Sequence, residues 1–177
     1  MGEVGAPFYE ANFNHLDPFP DVPKRTFDVA ILGEVIEHIF NHPVGLISAI
    51  GELLKPGGHL ILTTPNPRTL ANAIRIFRGQ WTCWGDSEFA ALPKVDTNGR
   101  VISYEGIHYR EYGRDTLLEL IAKAGFTIEH HEYVGSGVAP HQPLMRRAFK
   151  SLPVWPILAR HRLLGLSHYV IARWPGA

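Results

Sequence analysis

The sequence lacks several features that mark whole classes of proteins. Its 177 residues include a single cysteine, Cys83, so no disulfide framework can form within the chain. It has no run of 18 consecutive apolar residues, so no membrane-spanning helix is predicted. Basic and acidic residues number 17 each, and a net charge of zero gives no indication of bulk nucleic-acid binding. These absences favour a globular protein in a reducing compartment, which we expect to be the cytoplasm.

A strand, a helix and a second strand follow one another in the first half of the chain. Residues 27–32, FDVAIL, form an apolar run that predicts a strand buried on both faces, as in a parallel sheet. Apolar residues then recur at helical spacing between Leu46 and Leu54, and the sequence KPGG at 55–58 ends the helix. Residues 59–64, HLILTT, predict the next strand, so the three elements form a right-handed βαβ crossover.

Ligands of open parallel sheets bind beyond the carboxyl ends of the strands. In this chain that edge is formed by residues 32–38 and 64–66. If residues 32–38 continue as a helix, offsets of three and four place Glu34, Glu37 and His38 on one face. Two carboxylates and an imidazole in that arrangement can hold a divalent metal ion, and the alternative is a solvated helix face without a metal.

Four segments of the chain resemble one protein family. FDVAILGEVIEHI and ELLKPGGHLILTTPNP resemble the middle of class I S-adenosylmethionine-dependent methyltransferases. HYREYGRDTLLELIAKAGF resembles the segment before the sixth strand of that family, and HYVIARW resembles its last strand. The resemblance implies one methyltransferase domain over residues 1–177. It also implies an α/β fold with a Rossmann-like, doubly wound sheet, mostly parallel with one antiparallel edge strand. The family does not by itself name the methyl acceptor.

The Gly-rich turn and the ribose-binding carboxylate that open this family's fold are not in this sequence. The chain enters the family pattern near the third strand, which we assign to residues 8–13, FYEANF. We therefore expect a domain truncated at its N-terminal side. Two alternatives remain: a second chain completes the sheet, or FYEANF pairs with residues 27–32 in a contracted fold. Without such a neighbour, the strand at 27–32 would present an unpaired apolar edge.

The resemblance also implies which residues contact S-adenosylmethionine. Asn12 and Phe13 match the positions that meet the adenine in this family, although Asn12 is equally explained as a turn residue. Leu32 and Gly33 would lend backbone groups to the cofactor, and Glu34 would shape the pocket for its methionine end.

The pattern E-x-x-E-H followed by a later histidine resembles the metal site of small-RNA 2′-O-methyltransferases. Its first part also matches ubiquinone-pathway O-methyltransferases. The resemblance implies that Glu34, Glu37, His38 and His108 bind Mg²⁺ or another divalent cation, which orients the acceptor hydroxyl. His38 and His108 are also the candidate catalytic bases, because imidazole titrates near neutral pH. In the alternative interpretation no metal binds, and the glutamate only shapes the cofactor pocket.

Two further segments are interpreted as insertions. Residues 67–106 form a long connection, which predicts a lid or substrate-binding loop. Residues 144–166 combine basic and apolar side chains and predict a basic amphipathic helical insertion. Through residues 144–164 this insertion would contact a membrane surface or a lipid-linked substrate. The alternative is a packed insert with a solvated basic face.

Together these features predict an S-adenosylmethionine-dependent methyltransferase that acts on an oxygen of a small-molecule, lipid or sugar-type acceptor. The first alternative is a non-catalytic remnant or subunit of the same fold, because the half that grips the cofactor is missing. The second alternative is a relative of RNA 2′-O-methyltransferases. It is disfavoured by the neutral charge and the lack of a clear basic groove, so no nucleic-acid partner is predicted.

Overall fold

The computed structural model of the chain describes residues 7–13, 15, 17–80, 94–95, 101–103, 108–135 and 165–176. Strands and helices follow one another in this order: β1 (Phe27–Gly33), a single 3₁₀ turn (Ile36–His38), α1 (Pro43–Leu53), β2 (Leu54–Pro65), α2 (Leu70–Phe77), β3 (Lys94–Val95), β4 (Val101–Ser103), α3 (Arg114–Lys123), β5 (Thr127–Val134) and β6 (Ser167–Arg173).

The main sheet has four strands in the order β1-β2-β6-β5, and β3 and β4 form a separate antiparallel pair. β1 and β2 are parallel, while β6 runs antiparallel to both β2 and β5. The predicted α/β class with a mixed sheet is confirmed. The antiparallel strand, however, lies between β2 and β5 and not at the edge of the sheet. In that position β6 forms hydrogen bonds with a neighbour on each side, which satisfies both rows of its backbone groups.

One face of the sheet packs against α1 and α3 and forms the core. Alternate residues of β2 and β6 point to this face, because successive side chains of a strand point to opposite sides. α1 begins at Pro43, and the side chain of His42 accepts a hydrogen bond of 3.1 Å from the Gly45 backbone N–H, which caps the helix. The buried apolar side chains of the two helices and two strands include Leu46, Ile47, Ile50, Leu60, Leu62, Leu117, Ile121, Val170 and Ala172.

β1 is an edge strand within the described part of the chain, where β2 is its only partner. Leu32 points into the core, but Val29 and Ile31 point to the opposite face and are 48% and 76% exposed. The prediction that this strand is buried on both faces is therefore wrong for the structure described. The predicted unpaired apolar edge is observed over the same residues.

Residues 8–13 do not form the predicted strand. The backbone there is irregular and turns at Asn12, whose carbonyl accepts a hydrogen bond of 2.9 Å from the His15 N–H. Asparagine favours such turns because its short polar side chain competes with regular backbone pairing. The contracted fold, in which FYEANF pairs with β1, is likewise not observed.

Trp174, directly after β6, joins several elements at the amino end of β2. Its carbonyl accepts a hydrogen bond of 2.7 Å from the Gly57 N–H, and its own N–H donates to the Gly58 carbonyl at 2.8 Å. Its ring lies against Gly51 of α1, where a methyl group would lie only 2.6 Å from the ring. The KPGG sequence, predicted to precede the strand at 59–64, instead forms the beginning of β2 and is held by the segment that follows β6.

The predicted insertions lie largely outside the described residues. Of residues 67–106, the structure describes α2, the short strands β3 and β4 and the residues up to Gln80. Of residues 144–166, it describes 165 and 166 alone, so the predicted amphipathic insertion and its contact with a membrane stay predictions. Within the described ranges, no helix combines the length and the apolar character that crossing a membrane requires.

Candidate functional site

The carboxyl ends of β1 and β2 meet at one edge of the sheet, as the crossover predicts. β1 ends at Gly33, and the next residue, Glu34, has a left-handed backbone with φ of 52°. Its N–H donates a hydrogen bond of 2.9 Å to the Thr63 carbonyl of β2. Left-handed backbone is costly for a residue other than glycine, and such strain concentrates at functional sites.

The Glu34 side chain stays largely exposed at this edge. Partial burial of its carboxyl group raises its pKa, and a hydrogen bond with the Thr63 side chain opposes that shift. The charge of Glu37 also raises the Glu34 pKa, and His108 and His38 lower it. Glu34 therefore lies near the group of side chains described next.

Glu37 is the central polar residue of the site and is fully buried. Its Oε2 accepts a hydrogen bond of 2.8 Å from the Thr64 hydroxyl. Its Oε1 lies 3.9 Å from His38 Nε2 and makes no hydrogen bond with the described part of the chain. A buried carboxylate oxygen without a donor is uncommon and calls for a bound proton, water or cation.

The backbone of Glu37 also brings a distant segment into the site. Its carbonyl accepts hydrogen bonds from the N–H groups of Tyr109, at 2.9 Å, and Arg110, at 3.3 Å. These bonds place His108 beside His38, with ring centroids 4.8 Å apart and planes at 77°.

Glu37, His38 and His108 each offer one ligand atom, and these three atoms lie within 4.8 Å of one another. His108 Nδ1 lies 3.2 Å from Oε1 of Glu111, whose side chain is also buried. When Nδ1 donates its hydrogen to Glu111, Nε2 keeps a free lone pair. This lone pair can bind a cation or accept a proton.

The structure brings together three of the four residues predicted as metal ligands. Glu34 is not in the group of converging ligand atoms. The expected helix over Glu34, Glu37 and His38 is wrong, because the segment forms only the 3₁₀ turn Ile36–His38. Glu34 precedes this turn with left-handed backbone, so helical offsets do not apply to it.

The residues predicted to contact the cofactor occupy two different settings. Leu32 is buried at the end of β1, and a methyl group on Gly33 would make an ordinary contact of 3.5 Å with Thr63 Oγ1. Asn12 lies in the turn before β1, in the wall of a cleft of about 310 Å³ that three acidic residues also line. The Phe13 ring packs edge-on against Phe19, with centroids 5.8 Å apart.

Two residues of the site with buried side chains, Glu111 and Tyr112, were not predicted, and Thr64 was predicted only as part of the ligand-binding edge. Thr64 orients Glu37, and Glu111 orients His108. Burial raises the pKa of the Tyr112 hydroxyl above its usual range. The available signals were the polar end of the HLILTT strand and the spacing of three between His108 and Glu111.

A second pair of histidines lies near the same end of the sheet. His168 of β6 faces Thr64 across the ladder with β2, and its Nδ1 lies 3.0 Å from Nε2 of His131. Burial, followed by the proximity of His131, lowers the pKa of His168 to about 4. Its Nε2 has no hydrogen bond of good geometry with the described residues. The Tyr112 backbone nevertheless lies close enough to raise the His168 pKa, against the effect of burial.

Comparison with known proteins adds an independent line of evidence. Over 55 residues, the chain is 40% identical to the ubiquinone biosynthesis O-methyltransferase from two strains of Cereibacter sphaeroides. This stretch covers 31% of the chain and only 22% of that relative.

Two solved structures share the fold at low sequence identity. A putative methyltransferase of Haloferax volcanii, solved with the Trm112 methyltransferase activator, has a TM-score of 0.52 at 12% identity, covering 91% of this chain and 59% of that one. The [4+2]-cyclase SpnF has a TM-score of 0.50 at 21% identity, covering 92% of this chain and 56% of that one. The chain thus spans little more than half the length of these two proteins.

A family model described as a methyltransferase domain matches residues 5–131. The matched region contains β1, the 3₁₀ turn with Glu37 and His38, and the segment that carries His108. Since this match extends over more than half of the sequence, the chain belongs to the methyltransferase-domain family.

Proposed function

We propose that the chain carries the acceptor side of an S-adenosylmethionine-dependent methyltransferase that acts on an oxygen of a small-molecule, lipid or sugar-type acceptor. The observation that carries the proposal is the convergence of Glu37, His38 and His108 at the carboxyl end of β1 in a chain of this family. The donor supplies a methyl group on a sulfonium, which is already an activated electrophile. The protein must therefore mainly position the acceptor and receive its proton.

Leu32, Gly33 and Glu34 fit one side of a pocket for the donor. They lie at the carboxyl end of β1, where open α/β sheets bind their ligands. The strained backbone of Glu34 and the partial burial of its carboxyl group indicate that this position serves binding more than stability. A carboxylate there attracts the ammonium group at the methionine end of the donor.

His108 is the better placed of the two candidate bases. Its Nδ1 lies 3.2 Å from the buried carboxyl group of Glu111, and one of its ring nitrogens lies within 4.8 Å of the ligand atoms of Glu37 and His38. A base that is oriented by a third group is the usual arrangement for proton transfer. In the proposed reaction, His108 Nε2 takes the proton that the acceptor hydroxyl loses, and Glu111 stabilises the resulting imidazolium.

As the alternative use of the same His108 lone pair, we propose that Glu37, His38 and His108 bind a divalent cation, in which case His108 is a ligand and not the base. The buried Oε1 of Glu37, which lacks a hydrogen bond within the described residues, would gain a partner in this way. Two imidazoles and one carboxylate suit Zn²⁺, Fe²⁺ or Mn²⁺ better than Mg²⁺, which prefers a shell of oxygens. A cation bound there would polarise the acceptor hydroxyl and lower its pKa.

The exposure of β1 supports the proposal that a second chain completes the sheet. Val29 and Ile31 are apolar and largely exposed, and the outer edge of β1 has no partner among the described residues. An edge of this kind readily pairs with another strand. The proposed partner would cover these side chains and add the remaining wall of the donor pocket.

Binding of S-adenosylhomocysteine tests the proposed function directly. We expect calorimetry to show binding to the chain, and Glu34→Ala to weaken it at least about tenfold, since a hydrogen bond to a charged group contributes about 1.5–3 kcal/mol. Glu119→Ala is the control, because this exposed residue pairs with Lys123 on α3. Absence of heat with the unmodified chain would favour the non-catalytic alternative, and equal binding by both variants would remove Glu34 from the pocket.

Titration with Mn²⁺ or Zn²⁺ tests the cation site. Glu37→Gln keeps the size of the side chain but removes its charge, and we expect at least a 10- to 100-fold loss of affinity, since outer-shell partners alone contribute about that much. Glu129→Gln is the matched control, because Glu129 pairs with His59 and Arg173 near the amino end of β2. If both variants bind the cation as the parent does, Glu37 is not a ligand.

A further inference from the structure

A cleft of about 390 Å³ lies directly beside the Glu37–His38–His108 group. One wall is formed by residues 39–43, which follow His38, and the other by residues 109–112, which follow His108. The two walls are joined by the hydrogen bonds from the Tyr109 and Arg110 N–H groups to the Glu37 carbonyl. Six of its lining residues carry the inference: Ile39, Phe40, Pro43, Tyr109, Arg110 and Tyr112.

The cleft is aromatic, and part of that aromatic surface is exposed. Phe40 is 74% exposed and Tyr109 is 42% exposed. Their rings lie 5.4 Å apart with planes at 56°, one from each wall. Large aromatic side chains exposed next to polar reactive groups are characteristic of a binding surface for a flat molecule.

Arg110 adds a positive charge to the cleft. Its guanidinium carbon lies 5.4 Å from the centre of the buried Tyr112 ring, which holds the side chain in place through a cation–π contact. Among the described residues, no carboxylate lies within ion-pair distance of Arg110. With respect to the described part of the chain its donors are available to a ligand, and a guanidinium suits a planar or tetrahedral anion.

The amino end of α1 supports the same preference. Pro43, the first residue of α1, also lines the cleft, and the partial positive charge of a helix amino end favours anions. Two independent features therefore give the cleft a positive potential next to an aromatic surface.

We propose that this cleft is the acceptor subsite, and that it takes a flat apolar molecule carrying an anionic group, a carboxylate or a phosphate, bound by Arg110. The inference rests on the proposed function, since His38 and His108 each immediately precede a residue that lines the cleft. The apolar body of the acceptor packs on Phe40 and Tyr109. Its anionic group lies toward Arg110, and its hydroxyl lies toward His108.

Three probes that share the naphthalene ring and differ in their polar group test this class of acceptor: 2-naphthoate, 2-naphthyl phosphate and neutral 2-naphthamide. We expect calorimetry to show that one or both anions bind at least about tenfold more tightly than the amide, since charge-assisted hydrogen bonds are about twice as strong as neutral ones. Whichever anion binds more tightly identifies the group that the site prefers. Arg110→Gln should remove this preference and leave the affinity for 2-naphthamide unchanged, while Phe40→Ala should weaken all three probes alike.

Arg75→Gln is the matched control, because Arg75 lies in the last turn of α2, away from the cleft. Circular dichroism verifies that each variant folds. Equal affinity for the anions and the amide, a preference that survives Arg110→Gln, or no binding of any probe would each overturn the proposal. Binding of S-adenosylhomocysteine is measured in the same samples. Its absence, with an intact anion preference, would reject the methyltransferase function and retain the cleft as an anion-binding site.

Discussion

Replacement of Trp174 by alanine should lower the free energy of unfolding by about 3–5 kcal/mol, the range found for large aromatic side chains removed from a core. The Trp174 ring packs on Phe126, with centroids 5.0 Å apart, and contacts Gly51 of α1 and Gly125 after α3. The loss is a large share of the 5–15 kcal/mol typical of a whole domain. Urea unfolding followed by circular dichroism measures it.

Two glycine variants separate the contact with Trp174 from backbone strain. Gly125 has φ of 98°, and a methyl group there would lie 2.9 Å from the Trp174 ring. Gly57 has φ of 84° with nothing within 4 Å of the same position. Both alanine variants carry the strain of left-handed backbone, about 1–3 kcal/mol, and Gly125→Ala should add a further 1–3 kcal/mol of overpacking. Equal losses in the two variants would show that the close approach of Trp174 contributes nothing.

Acidification should destabilise the folded chain between pH 6.5 and pH 4 through His168. Burial, followed by the proximity of His131, lowers the pKa of His168 from 6.5 to about 4 in the folded state. In this window the unfolded chain binds more protons, so stability is complete above pH 6.5 and falls as the pH decreases. The loss is about 1.4 kcal/mol per pH unit and about 3 kcal/mol in total.

The slope of stability against pH is the quantity to measure, since His168→Leu also changes stability at neutral pH. This variant should flatten the profile between pH 6.5 and pH 4. His59→Gln is the control, because His59 is partly exposed and pairs with Glu129. The stability of this variant should decrease between pH 6.5 and pH 4 as steeply as that of the parent. A profile of His168→Leu as steep as that of the parent would show that another group causes the acid destabilisation. His131, whose pKa is also lowered, chiefly by burial, is the next candidate.

Local patterns in the sequence were sufficient to predict β1, α1 and β2. The apolar runs, the helical spacing after Pro43 and the KPGG sequence that ends the helix each act within a few neighbouring residues. The position of β6 between β2 and β5 could not be predicted in this way. It depends on pairing between strands that are far apart in sequence, and the apolar pattern of β6 is the same at an edge or in the middle of a sheet.

Resemblance placed His38, Glu37 and His108 in one site, and the structure brings their side chains together. The sequence could not show how this happens, because the link is a pair of backbone hydrogen bonds from residues 109 and 110 to the Glu37 carbonyl. It also could not show that Glu34 leaves the helical pattern. Its backbone is left-handed, and its N–H is bonded to Thr63 on the neighbouring strand, which is distant in sequence.

The position of β6 has a consequence for the order of folding. β6 pairs residues 167–173 with residues 59–65 of β2, so the two strands meet only after a long segment of chain has been closed into a loop. Until then, β2 and β5 lack their common neighbour, and the unpaired backbone of both is open to wrong partners. Folding with such a high contact order is slow. We therefore expect the β1–α1–β2 unit to form early, and the β5–β6 part of the sheet, which carries His131 and His168, to form last.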